Sequence, residues 1–260
     1  MDHDILIDGK SYHLTADDLY LEQMGADFEP HMVALFKKLI SKQDCVFDVG
    51  ANIGLTGILF GNIAKQVVCF EPSPTTCSLL RNNISAARLH NIEVVNLGLG
   101  AQAEEVTLTF ATNNRSGGFV SDQVRPLHGH TTENIQIARL DDVYQEFSDN
   151  INFIKIDVEG YEGEVIKGMA EVLKRFQPIV VLELNHWCLN AFRRISVPDF
   201  FDLLRENFPY VYAIDTDGDI KNLHSNDEAY YVMHEHLVKF KYPNIACGFR
   251  DNLLEQMRVS

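Results

Sequence analysis

Apolar residues along this chain switch between two periods, and the switches mark out alternating strands and helices. "CVFDV" (45–49) is a short, near-continuous apolar run, and "GLTGILFGNIA" behind it repeats apolar residues at helical spacing. "QVVCFE" reads as the next strand. Ser73 is placed to cap a following helix, with Pro74 at its first position, running to about Arg88. "IEVVNL" is a further strand, and "EEVTLTF" alternates polar with apolar as a half-buried strand does. Then come "INFIKIDVE" as strand, "YEGEVIKGMAEVLKRF" as one helix, "PIVVLELN" as strand and "PDFFDLLREN" as helix. "YVYAID" and "DIKNL", separated by a turn at Asp217-Gly218, make a late hairpin. Ahead of the alternation, "DILIDGKSYHLTADD" predicts a hairpin turning at Asp8-Gly9. "FEPHMVALFKKLI" predicts a helix with its stripe at Met32, Val33, Leu35, Phe36, Leu39 and Ile40.

Strands this apolar, alternating with helices, imply a sheet covered on both faces. The expected fold is α/β: one three-layer αβα domain whose seven-stranded, mostly parallel sheet carries an antiparallel edge hairpin. No repeat or low-complexity linker divides the chain. Residues 1–44 are therefore expected to join residues 45–260 in one unit. Residues 112–132, with Gly117, Gly118, Pro126 and Gly129, read as an irregular loop or lid over an acceptor. Within it, Arg115, Ser116 and Arg125 are candidates to touch a polyol or an acidic group.

Charge narrows the function classes. Acids outnumber bases 37 to 22, a formal net charge of −15, and no Lys/Arg run interrupts the excess. Such a chain repels polyphosphate, so nucleic acid is not the expected partner. Apolar stretches such as "IVVLEL" are too short to span a bilayer, and the acidic start "MDHDILIDGK" is no secretory signal. The five cysteines include no CxxC pair, so neither a zinc site nor a disulfide framework is expected. Cys45 and Cys69 read as core residues of a cytoplasmic protein.

Ligands of open α/β sheets bind beyond the carboxyl ends of the strands. The first strand of the alternation ends in Asp48, Gly50, Ala51, Asn52 and Gly54, where glycine lets backbone turn sharply beside a ligand. Glu71 ends the next strand, 17 residues after Gly54, where a carboxylate suits a ribose diol. The run D-x-G-x-N-x-G lacks the G-x-G-x-x-G spacing of a dinucleotide site. Asp48, read as standing at the mouth, would repel a diphosphate and suit an α-ammonium. Asp157 and Glu183 end later strands and favour a sulfonium. The physical reading thus prefers S-adenosylmethionine to a nicotinamide dinucleotide. A plain tight turn, or an acid at a helix N-terminus, explains either feature alone but less readily both.

"VFDVGANIG", "FEPSP" and "IKIDVEGYE…VIKGM", with "ARLDDV" between the last two, resemble the signature blocks of the FkbM-type methyltransferases, a branch of the Rossmann-like class I methyltransferases. The resemblance covers about Val46 to Asn185. It implies methyl transfer from S-adenosylmethionine to a hydroxyl of a sugar, a glycan or a polyketide-like natural product. It makes Asp48, Gly50, Ala51, Asn52 and Gly54 the cofactor loop and Glu71 the ribose ligand. Pro72 and Ser73 would lie near the adenine, Asn96 and Leu97 at its edge, and Asp157 between cofactor and acceptor.

A hydroxyl nucleophile needs a base as its bond to carbon forms. Asp157, Glu159 and His186 are the candidates. Asp157 and Glu159 share a face if the strand stays extended, and paired carboxylates raise one pKa. The alternatives are that Glu159 caps the next helix and that His186 bonds to backbone. Asp157, Glu183 and Asn185 could hold Mg²⁺, but hydrogen bonding to substrate or cofactor is the favoured role. Trp187 could stack on a sugar face or simply pack; "HGH" (128–130) reads as solvated. Three classes follow: an O-methyltransferase acting on a small-molecule or glycan acceptor, a nicotinamide-dependent oxidoreductase, and a non-catalytic S-adenosylmethionine-binding module.

Overall fold

The computed structural model describes residues 1–124 and 128–258; Arg125 and Pro126 lie outside the described residues. β1 (Asp2–Ile7) and β2 (Lys10–Thr15) pair antiparallel around Asp8 and Gly9, both at positive φ, as the sequence predicts. α1 (Tyr20–Met24) and α2 (Pro30–Leu39) lead into β3 (Cys45–Val49). The alternation continues with α3 (Leu55–Ile63), β4 (Gln66–Phe70), α4 (Pro74–Ala86) and β5 (Ile92–Val95). Ser73 caps α4 by accepting from the Thr76 amide, with Pro74 in the first turn.

The next stretch departs from the sequence reading. β6 (Gly98–Leu99), β7 (Glu104–Ala111), β8 (Asn114–Val120) and β9 (His130–Ala138) form a separate four-stranded sheet, ordered β6-β9-β7-β8. Much of the supposed lid is therefore strand. β7 and β9 pair along their lengths, burying Leu108, Phe110, Ile135 and Ile137 on one face and leaving polar residues on the other. That sparse alternation, with glycines in β8, is what made the segment look irregular.

After α5 (Leu140–Val143) comes β10 (Phe153–Ile156). The single helix expected after it is two, α6 (Glu162–Lys167) and α7 (Ala170–Phe176). The break falls at Gly168, where a Cβ would lie 1.9 Å from the Gly100 carbonyl oxygen, so two backbones meet there. β11 (Ile179–Glu183), α8 (His186–Arg193), α9 (Val197–Asn207), β12 (Tyr210–Ile214) and β13 (Ile220–Asn222) follow. α10 (Asn226–Lys239), β14 (Asn244–Gly248) and α11 (Leu253–Arg258) close the described chain.

The main sheet has eight strands, in the order β13-β12-β14-β11-β10-β3-β4-β5. β11, β10, β3, β4 and β5 run parallel. The expected edge hairpin is β12–β13, but β14 inserts antiparallel between β11 and β12. The sheet thus has eight strands rather than seven; four of its seven pairings are parallel, and β14 adds antiparallel pairings beyond those of the expected edge hairpin. β14 fits there because Ile245, Ala246 and Cys247 are fully buried and it returns directly from α10.

Both faces are covered, as the layered reading requires. On one, Phe36 and Phe60 meet edge-to-face at 5.0 Å, and Phe36 packs the same way on Phe153 at 5.9 Å. The β1–β2 hairpin joins this core through Ile5, Ile7 and Leu14. On the other, Val165, Met169, Phe200 and Val232 pack with Ile154, Ile156 and Leu182, and the small sheet abuts the same core. No described helix is long and apolar enough to cross a membrane.

Candidate active site

β3 ends at Val49, and the loop behind it can be built only with glycine at its first position. Gly50 has φ 81°, and a Cβ there would stand 1.9 Å from the Asp157 carbonyl oxygen. The Gly50 and Ala51 amides both donate to the Phe70 carbonyl at 3.0 Å, fixing the loop against the end of β4. Asn52, at φ 50°, donates its amide to Glu71 Oε2 at 3.0 Å. Gly54, at φ 104°, is the N-cap of α3. Glu71 Oε1 accepts from the Ser73 amide at 2.9 Å. Burial pushes the Glu71 carboxyl up to about 7 despite those two backbone donors. Asn96 does not line the cavity; its amide donates to the Glu71 and Pro72 carbonyls, both at 2.9 Å, and holds the turn.

Beyond this turn lies a cavity of about 740 Å³ with Glu71, Pro72, Ser73 and Leu97 on one wall and Phe110 and Ile135 of the small sheet opposite. Ser116 lines it too. Arg115 lines it as well, with its guanidinium forked onto Asp17 at 2.7 Å and donating to Thr75 Oγ1 at 2.7 Å.

A second cavity, of about 1240 Å³, opens on the other side of the same loop. Gly50, Asn52, Ser116, Asp157 and Glu159 line both. Ala51 faces only the second, which Tyr20 and Glu29 also wall. Asp48 is not at the mouth of either cavity, contrary to the sequence reading. It is fully buried on β3, where Oδ2 accepts from Thr56 Oγ1 at 2.6 Å and Oδ1 faces Lys155 Nζ at 3.8 Å. A residue inside a strand of a covered sheet points between layers rather than over the rim. Lys155 sits beside it in register and reaches the rim, where Nζ pairs with Asp157 Oδ2 at 3.1 Å. Burial opposes the Lys155 charge, but Asp157 and Asp48 outweigh it and raise its pKa.

Asp157, Glu159 and Glu183 each bring an oxygen within 4.8 Å of the others. They do not meet by sharing an extended strand. β10 has ended, and Glu159 turns through φ 52°. Glu162 holds that turn by accepting from the Val158 and Gly160 amides at 3.1 and 3.2 Å. Glu159 Oε2 accepts from Cys188 Sγ at 3.1 Å and Asn185 Nδ2 at 3.4 Å. Burial, then the Asp157 charge, pushes Glu159 up to about 7, and the same causes raise Glu183 well above the usual carboxylate range. Asn185 caps α8 and steadies Glu159, so the trio with metal-ligand spacing holds Glu159 in the place expected for Asn185.

Residues 48–213, well over half the chain, match the family model described as the methyltransferase FkbM domain. The chain belongs to the FkbM methyltransferase family. It is 26% identical over 158 residues to Methyltransferase 1 of Beauveria bassiana, covering 54% of this chain and 64% of that protein. It is 25% identical over 153 residues to the hexuronic acid methyltransferase AglP of Haloferax volcanii, covering 59% of this chain and 61% of that one. The chain thus spans a little under two thirds of the curated relatives it matches. A crystal structure of an FkbM methyltransferase from Methylobacillus flagellatus KT superposes with a TM-score of 0.45 at 21% identity, covering 66% of this chain and 40% of that one.

In this FkbM-family chain, His186 stands apart from the cavities around the loop. It starts α8 and packs edge-on against His236 at 4.9 Å and beside Phe240 at 5.2 Å, and burial lowers its pKa. Trp187 is 60% exposed and rests its edge on Phe192, which stacks on Phe119 at 3.8 Å. It lines a shallow hollow of about 660 Å³ together with Asn185, His130 and Glu159. Glu159 is therefore a wall of this hollow and of both larger cavities. Sequence reasoning missed Lys155 and Glu162. A lysine between Ile154 and Ile156, in a strand otherwise apolar, was the available signal for the first, because such burial demands a partner.

Proposed function

We propose that this protein transfers a methyl group from S-adenosylmethionine to a hydroxyl of a sugar, a glycan or a polyketide-like natural product. The observation that carries the reading is Glu71. It is a nearly buried carboxylate at the end of an apolar cavity, anchored by the amide of the glycine-bearing loop. Each oxygen accepts one backbone N–H and keeps a lone pair, as a ribose diol requires. Pro72, Leu97 and Phe110 offer flat apolar walls to an adenine. S-adenosylmethionine supplies, when bound, a methyl group on a positively charged sulfur that departs as a neutral thioether.

The chain's own groups do the rest. Asp157 is committed to Lys155, which leaves Glu159 as the base. Its pKa of about 7 suits proton transfer near neutrality, and it stands where the cavities meet. The proton of the acceptor hydroxyl goes to Glu159 as the new carbon–oxygen bond forms. The family match and the hexuronic acid methyltransferase among the relatives support this choice of chemistry.

Incubation with methyl-labelled S-adenosylmethionine and a panel of glycosides and hydroxylated polyketides tests it. Label should appear on oxygen, and Glu159→Gln should slow turnover about hundredfold or more while S-adenosylhomocysteine still binds. Thermal stabilisation by NAD rather than S-adenosylhomocysteine, without label transfer, would replace it with the oxidoreductase reading.

A further inference from the structure

We infer that Lys155 receives the α-carboxylate of the methyl donor's amino-acid end, and so selects donors that carry one. The inference rests on the donor reading above and concerns the second cavity, which that reading leaves unassigned.

Lys155 lies in β10, a central strand of a sheet covered on both faces, and is only 9% exposed. An ammonium in that place is costly unless its partners are well arranged. The arrangement is incomplete for a purely structural pair. Nζ carries three donors, and Asp157 Oδ2 takes one at 3.1 Å. Asp48 Oδ1 stays 3.8 Å away, beyond hydrogen-bond distance, and has no hydrogen-bond partner among the described residues. The ammonium thus has donors to spare, and it lines the second cavity.

The two cavities meet at Gly50, Asn52, Asp157 and Glu159. With the adenosine beside Glu71, the short chain beyond the sulfur crosses the loop into the second cavity. An amino acid ends there as a zwitterion, needing one cation and one anion. Anions abound: Glu29, Asp157, Glu159 and Glu183 all line this space. Lys155 is the one lysine or arginine among its described residues. The scarce partner therefore belongs to the carboxylate, and its neighbours Asp48 and Asp157 keep it charged for that purpose.

Calorimetry with two ligands and two proteins tests this. The ligands are S-adenosylhomocysteine and its decarboxylated analogue, which differ only in the carboxylate. The proteins are wild type and Lys155→Met, similar in volume but uncharged. Wild type should prefer S-adenosylhomocysteine by about tenfold to hundredfold, the strength of a charge-assisted hydrogen bond. Lys155→Met should lose that preference while binding the decarboxylated analogue within about threefold of wild type. Equal binding of both ligands by wild type would overturn the inference, and needs no variant to fold. So would a preference that survives in Lys155→Met, or an equal loss for both ligands, which marks a structural prop. If wild type binds neither ligand, the donor reading itself fails; if it binds both alike, only the role of Lys155 does.

Discussion

Glu71 shows how burial sets the chemistry of one side chain at the rim of the cavity. Its carboxyl is raised to about 7, so in the free protein its stabilising contribution is full below the ordinary carboxylate value and is lost as pH rises through 7. A diol donating to the ionised form offsets that cost. Affinity for S-adenosylhomocysteine should therefore rise between pH 6 and 8. Glu71→Gln should bind about tenfold or more weaker at pH 8, with a flatter profile, as calorimetry across that range will show. A flat profile in wild type would remove Glu71 from the site. At this scale the sequence was uneven. Glu71, Pro72, Ser73 and Leu97 were legible because they end strands whose apolar runs are plain. Asp48 was legible as important but misplaced, since a rim residue and an inward-facing strand residue differ by a position or two. The pairing of Glu159 with Asp157 was anticipated for the wrong reason, and its approach to Glu183 not at all, because the turn that makes both depends on Glu162.

Among the elements, the unit β3–loop–α3 carries the most constraint. Gly50 needs both its left-handed φ and its missing side chain, because β10 ends against it. Gly50→Ala should cost about 1–3 kcal/mol from backbone strain alone, more with the clash, and should abolish S-adenosylhomocysteine binding. Urea melts and calorimetry will show both; a variant of unchanged stability that binds normally would mean the loop is not held as described. The strands of the parallel core could be read because their apolar runs are continuous. β14 could not: "NIACG" is short, lies between Pro243 and Phe249, and follows α10, whose Tyr230, Leu237 and Val238 are exposed and blur its periodicity. β8 and β9 escaped because glycine and outward-facing polar residues are shared by strands and loops.

On the scale of the whole molecule, the site is a junction rather than a single pocket. The main sheet supplies the rim, the small sheet supplies a wall, and Arg115 ties that wall to the N-terminal segment through Asp17. The net charge of −15 is compatible with the cationic donor proposed above. The family was legible from three short blocks and Trp187 was singled out, whereas the hollow it shares with Glu159 required the folded chain. A crystal structure of the full chain with S-adenosylhomocysteine tests the account most directly. It should show the ribose hydroxyls on Glu71, the adenine between Leu97 and Phe110, and the amino-acid end across Gly50 toward Lys155. A ligand bound away from the β3 loop, with Glu71 making no contact to it, would contradict the account.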